Sequence, residues 1–238
     1  MGLHLAGTTS DFSFDDARLH ILPGKPLISL GRNEIIYRNA YSFWKDIWTK
    51  VFAKAGNAGH LNADNFLRQD RVCVISSRHS IAGLICFSMY RLDAASSFES
   101  GYLSQIPPAA SQSIPTIENG LLMTFEYLCV DEKLRNKSTG ASIGEILIGL
   151  GTKVMTECDA SVAVATAVRT VGVDHLAAKF GFKALAEFRK FDLDCAAIML
   201  KRQDIVENVG PDTKSLIQKM WIERIDNTAT QSIYSTAA

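Results

Sequence analysis

The stretch that most limits what this chain can become is residues 128–151, LCVDEKLRNKSTGASIGEILIGLG. A β-branched and aromatic run, LLMTFEYLCV, ends at Val130. A polar loop of small residues follows, and then Ile143, Ile146, Leu147, Leu150 and Val154 recur at the spacing of one helix face. The order is strand, loop, helix. The loop RNKSTG carries two cations beside small residues, so its amides and the following helix N-terminus can face an anion at close range. A phosphate-bearing ligand is its natural tenant.

With 238 residues, 47% of them apolar, the chain can bury a sizeable core as one domain with appendages. Its 25 basic and 25 acidic residues cancel, and no Lys/Arg-rich run appears, which argues against a nucleic-acid or anionic-membrane surface. Four of the five cysteines (Cys73, Cys86, Cys129, Cys195) lie in apolar, strand-like runs, as suits reduced, buried thiols. No Cys-x-x-Cys or His-x-x-His spacing is present, so no metal is expected. No apolar run approaches the roughly 18 residues of a membrane span, and the first 30 residues lack a signal-peptide core. Ala6 also stands where a myristoylation signal needs Ser or Thr. The expectation is a soluble, cytoplasmic protein.

Taken in order, residues 1–26 read as an N-terminal arm broken by Pro23, Gly24 and Pro26. Residues 27–205 form the main domain, in which Ile28 to Tyr37 reads as a first strand. Tyr41, Trp44, Ile47, Trp48 and Val51 then mark an amphipathic helix with an aromatic stripe. Asn62 or Asp64 caps a short second helix through Leu67. RVCVISS and IAGLICFSMYRL, parted by Arg78, His79 and Ser80, read as an antiparallel pair. Residues 93–119 show little periodicity and hold three prolines, a connection long enough to be a substrate-facing insertion or simply a solvated one. SVAVATAV is an apolar strand, followed by a helix from about Gly172 to Phe180 and two more strands within residues 183–200. Residues 206–238 hold one amphipathic helix, with Leu216 or Ile217, Met220, Trp221 and Ile225 on a face, and a Thr/Ser/Ala tail expected to fray. Packing on the parent domain is the simpler role for that helix, and partner binding the other.

The central stretch resembles the signature of the GNAT superfamily of N-acyltransferases, in which a strand ending Leu-x-Val precedes an Arg-x-x-Gly-x-Gly loop capping a helix. Leu128, Val130, Arg135 and Gly140 fall on that spacing, with Ser138 at the first glycine. A second register takes Gly140 and Gly144 as the glycine pair behind a longer loop; the first is preferred. The Gly181-Phe182 pair also matches, but Thr170 stands where the family has Asn and Ala177 where it has the Tyr that protonates the leaving thiolate. A weaker likeness is to the acyl-homoserine-lactone and long-chain N-acyl amino acid synthases, on a Trp- and Phe-rich first helix, the Arg91-Leu92 pair and the long insertion. Their Glu-x-Ser-Arg motif is absent.

The resemblance implies an α/β fold with a mixed, mostly antiparallel sheet of six to seven strands flanked by helices. It implies direct acyl transfer from an acyl-CoA, acetyl-CoA by default, to an amine. The amides of Arg135, Asn136, Lys137, Ser138, Thr139 and Gly140, closed by Ala141, would cradle the diphosphate. The backbone of Leu128, Cys129 and Val130 would face the pantetheine and the oxyanion, and Thr170 would border the cofactor. Glu126, the one carboxylate inside the central strand, is the candidate base, because flanking Phe125 and Tyr127 desolvate it. Tyr127 and His175 are the options for the acid. Acceptors are a small amine or an amino acid, and the synthase likeness brings in acyl carrier protein as an alternative donor. A fold kept without catalysis, as an acyl-CoA sensor or a scaffold, is the reading from another class. A Rossmann or Walker reading fails for want of Gly-x-Gly-x-x-Gly and a Walker lysine.

Overall fold

The structure is a computed structural model that describes residues 12–27, 29–57, 59, 61–78, 80–135 and 141–228. Its strands are β1 (Ala17–Leu22), β2 (Arg71–Ser77), β3 (Ser80–Arg91), β4 (Leu121–Val130), β5 (Val162–Val168), β6 (Lys183–Lys190), β7 (Leu193–Lys201) and β8 (Ile225–Asp226). The helices are α1 (Glu34–Lys54), α2 (Asp64–Leu67), α3 (Ala95–Phe98), α4 (Pro108–Ser111), α5 (Ile143–Glu157), α6 (Val173–Ala178) and α7 (Pro211–Ile222). The strands make one sheet in the order β6-β7-β5-β4-β3-β2-β1-β8. Neighbours run antiparallel except β4 with β5 and β1 with β8. This is the mixed α/β class expected, with eight strands rather than six or seven.

Strand alternation sends Met123 and Phe125 of β4 to one face and Leu122, Thr124 and Glu126 to the other. The first face is covered by α5, α6 and α7. Helix α5 has glycines where it meets the sheet and α7, and neither position has room for a Cβ. A Cβ on Gly151 would sit 2.3 Å from Phe125 Cε1, and one on Gly149 would sit 2.4 Å from Ile217 Cδ1 of α7. The Gly-Phe pair locks the same layer. Gly181 has φ +96° and no room for a Cβ against the Asp204 carbonyl, while the Phe182 ring packs edge-on against Phe125 at 5.1 Å. On the second face, α1 lays Trp44 and Ala40 onto Leu22, Val74, Leu84 and Cys86.

Three expectations need correction. The first strand is Ala17–Leu22, not Ile28 to Tyr37, so part of the presumed arm belongs to the sheet, pairing with β2 throughout. The segment read as a strand contains a turn at Gly31–Asn33 and the first residues of α1, because the Ile35-Ile36-Tyr37 run belongs to a helical repeat that continues through Trp44. The 93–119 connection is not structureless. It forms α3 and α4, and Leu103, Ile106, Ala110 and Ile114 pack on Leu122, Val162 and Val164 as a third cluster. Finally, α7 does pack on the domain through buried Ile217 and Met220, but Ile225 leaves the helix to pair as β8.

Candidate functional site

The parallel pairing of β4 with β5 stops at Phe125 opposite Ala165, yet β4 continues to Val130 and β5 to Val168. The strands part beyond that rung. On the same stretch β4 is bulged: Glu126 lies opposite Cys86 and Cys129 opposite Leu84, so the register with β3 shifts between them. Tyr127 sits in the bulge at φ +53°. The extra residue breaks the alternation, and Glu126 and Tyr127, though consecutive, both face the α1 side. There they line a cavity of about 290 Å³.

The cavity draws on every element around the parting strands. Trp48 and Phe52 come from α1, Arg68 from the turn after α2, Tyr102 from the insertion, Thr166 and Val168 from β5, and Lys190 and Phe191 from the β6–β7 hairpin. That hairpin turns through Phe191 (φ +51°) and Asp192 (φ +59°). Asn and Asp accept left-handed backbone readily; bulky aromatic residues do so at a cost of about 1–2 kcal/mol. Tyr127 and Phe191 are the two aromatic residues in that conformation among the described residues, and both line the cavity. Strain held at one place by aromatic side chains is a mark of a functional site.

Glu126 is buried at 3% exposure and fully engaged. Arg68 grips it with both guanidinium arms, Nη1 donating to Oε1 at 3.0 Å and Nη2 donating to Oε2. Thr124 Oγ1 donates to Oε1 at 2.7 Å and Gln69 Nε2 to Oε2 at 3.3 Å. Four donors thus fill the roughly four lone-pair sites a carboxylate offers. Burial opposes the charge on Arg68, but the Glu126 bond and charge more than offset it and hold the guanidinium above its usual range. The carboxylate is therefore buried as its neighbours in sequence suggest, but it is the anchor of a polar network rather than a lone desolvated acid. For Tyr127, burial first and the Glu126 charge second push the phenol up to about 12.

Lys190 differs. Its ammonium lies 4.7 Å from the centre of the Tyr102 ring and 5.7 Å from that of Phe191, and burial lowers its pKa, with Glu126 pulling the other way. The salt bridges of the described residues do not include it, so it faces the cavity as a cation without a carboxylate partner.

Of the residues picked from the sequence, Glu126 and Tyr127 meet in the cavity. Cys129 lies just outside it, its Sγ accepting from Trp48 Nε1 at 3.1 Å, and burial raises its thiol pKa so that it stays protonated. Leu128 and Val130 turn to the α5 face. Arg135 is exposed and donates from Nε to the Val130 carbonyl at 3.1 Å. Asn136, Lys137, Ser138, Thr139 and Gly140 lie outside the described residues. Helix α5 begins at Ile143, with Ser142 Oγ accepting from Glu145 N–H at 3.5 Å, so its first-turn amides belong to residues 143–145 and Ala141 precedes the cap. Gly144, in the first turn of that helix, is buried, and a Cβ there would lie 3.3 Å from Leu176 Cδ1. His175 and Thr170 are exposed on α6 and on the turn after β5, and neither lines the cavity. Ala177, at the expected Tyr position, is buried in the α5-side core. Arg68, Tyr102 and Lys190 were missed. Each is remote in sequence from β4, and none sits in a pattern that announces it.

An open mixed sheet whose fourth and fifth strands part beside a β4 bulge, backed by a glycine-packed helix, is the kind of fold expected from the resemblance of the central stretch. No family model matches the sequence, and no curated protein matches it. Among solved structures, the CoA-dependent acyl-homoserine lactone synthase BjaI with MTA superimposes at a TM-score of 0.58, with 9% identity over 89% of this chain and 93% of that one. The same synthase with SAM and isopentyl-CoA gives 0.56 at 10% identity and the same coverage. At this identity the likeness is one of fold. The described residues hold no cluster of His, Cys, Asp and Glu that could bind a metal, and no helix long and apolar enough to cross a membrane.

Proposed function

We propose that this chain is an N-acyltransferase that moves an acyl group from a thioester, an acyl-CoA first of all, to a small amine. The observation that carries the reading is the parting of β4 from β5 at a cavity walled by Glu126, Arg68 and Lys190. A gap between strands offers unpaired backbone groups to an extended pantetheine arm, and the cavity beside it offers room for the acceptor. The first-turn amides of α5 and the loop before it take the diphosphate. The amine nitrogen attacks the thioester carbonyl carbon, the C–N bond forms, the C–S bond breaks, and the thiolate leaves. Glu126 takes the ammonium proton through a water that displaces Gln69, the longest of its four bonds at 3.3 Å. Lys190, which has no carboxylate partner among the described residues, favours an acceptor with an anionic group, hence an amino acid over a simple amine.

A second reading is supported by the aromatic lining of the cavity: a synthase of the acyl-homoserine-lactone or N-acyl amino acid kind, drawing on acyl carrier protein. Thermal stability of the purified protein against coenzyme A, acetyl-CoA, longer acyl-CoAs and acyl carrier protein thioesters separates them. A ligand at about 100 times its dissociation constant adds roughly 2.7 kcal/mol, a clear shift in melting. Stabilisation by acyl-CoA supports the first reading, and stabilisation only by the carrier protein supports the second. No shift with any thioester sinks both.

A further inference from the structure

The last rung between β4 and β5 is not made by the strands alone. The Thr166 N–H, first beyond the Phe125–Ala165 pair, donates to Tyr102 Oη at 2.9 Å, and the same hydroxyl donates to the Phe125 carbonyl at 3.5 Å. A side chain from the 93–119 insertion is thus spliced into the ladder where the strands divide. Two cations lie over its ring, Lys190 Nζ at 4.7 Å and Arg68 Cζ at 5.7 Å from the centroid. Behind it lies the apolar cluster of Leu103, Ile106, Leu122 and Val164. Tyr102 therefore stands where the cavity meets an apolar cluster, since it belongs to both linings.

We infer that Tyr102 is the stop that sets the longest acyl chain the cleft accepts, and that the donor carries a short acyl group. The inference rests on the acyltransferase reading. A thioester enters a gap between strands acyl end first, because its nucleotide or protein carrier is far larger than the gap. Past the reacting carbonyl the chain runs toward the apex, where it meets a ring fixed at its hydroxyl and overlaid by two cations. A chain that reaches the ring either displaces these four interactions or does not bind. Without the ring, the cavity opens onto the apolar cluster, and added methylenes gain burial.

The test is acyl transfer to one fixed amino acid from acyl-CoAs of two to twelve carbons, with melting shifts measured in parallel, for the wild type and for Tyr102→Phe, Tyr102→Leu and Tyr102→Ala. The wild type and Tyr102→Phe, which keeps the ring, are expected to lose kcat/KM steeply beyond a few carbons. Tyr102→Ala moves that fall-off out by several carbons, with roughly a fourfold gain per methylene newly accommodated. Tyr102→Leu keeps an apolar anchor for the insertion, moves the fall-off part of the way, and serves if the alanine variant does not fold. Turnover by the wild type with the same fall-off in every variant overturns the stop and leaves the acyltransferase standing. A wild type that takes all lengths equally does the same. Silence with every thioester, in binding as in turnover, removes the acyltransferase reading and the stop together.

Discussion

At the scale of single residues, the site is a set of charges whose pairing decides their work. Glu126 was legible from the sequence because a lone carboxylate in an apolar strand must be held by something. What holds it was not, since Arg68 arrives from 58 positions away in a segment with no marked pattern. Glu126→Gln keeps the shape but removes the proton acceptor, and turnover is expected to fall about 10²- to 10⁴-fold with thioester binding retained. A melting shift with acyl-CoA that survives the substitution, beside lost transfer, checks both halves. Lys190 gives a prediction of the opposite kind. Burial holds its folded pKa below the usual lysine value of 10.5, so keeping it charged costs stability at every pH below the folded value, a cost lifted only as pH rises toward 10.5. Lys190→Met is thus expected to melt higher than the wild type at neutral pH. In transfer assays it should lose the preference for phenylalanine over phenethylamine, which differ by the carboxylate. A variant that keeps that preference removes Lys190 from acceptor recognition.

At the scale of elements, the sequence was most informative where one periodicity governs. The pattern from Ile143 to Val154 announces α5, and the two apolar runs after Asp70 announce the β2–β3 hairpin, which turns through Arg78 at φ +54°. It misled where a short apolar run fits both periods. Ile35-Ile36-Tyr37 suits a strand until the run is followed to Trp44, while ARLHIL is a strand chiefly because β2 and β8 flank it. The bulge at Tyr127 and the turn at Phe191 were invisible, because aromatic residues do not signal left-handed backbone. The glycines of α5 carry a sharper lesson. Gly151→Ala improves helix propensity by up to about 1 kcal/mol, but it drives a methyl group into Phe125 and Phe87. A net loss of about 1–3 kcal/mol is expected, read as a lower denaturant midpoint with an unchanged slope. A stabilised variant would mean that α5 can back away from the sheet.

At the scale of the whole molecule, the order of strands and the cleft it produces rest on long-range pairing that no local pattern contains. The class of fold could be anticipated from the order of elements; the eighth strand and the folding of the insertion could not. One consequence of that order is a sensitivity to acid at the β1 edge. His20 is buried between β2 and β8, its Nδ1 has no partner among the described residues, and burial lowers its pKa below 6.5. The unfolded chain then binds more protons than the folded one, so stability falls as pH drops through 6.5 toward the lower folded value. Melting temperatures from pH 8 to pH 5 are expected to decline, and the part of the decline lost in His20→Leu measures this residue. An unchanged profile would assign the acid sensitivity elsewhere.

The pairing of β8 with β1 bears on when the molecule can be finished. His20 lies beside Ile225 in the sheet, so β1 waits for a strand made more than 200 residues later. At about 5–20 residues per second, ribosomes leave that flank of β1 open for 10 seconds or more. An apolar edge bare for so long is a place where nascent chains can add to one another.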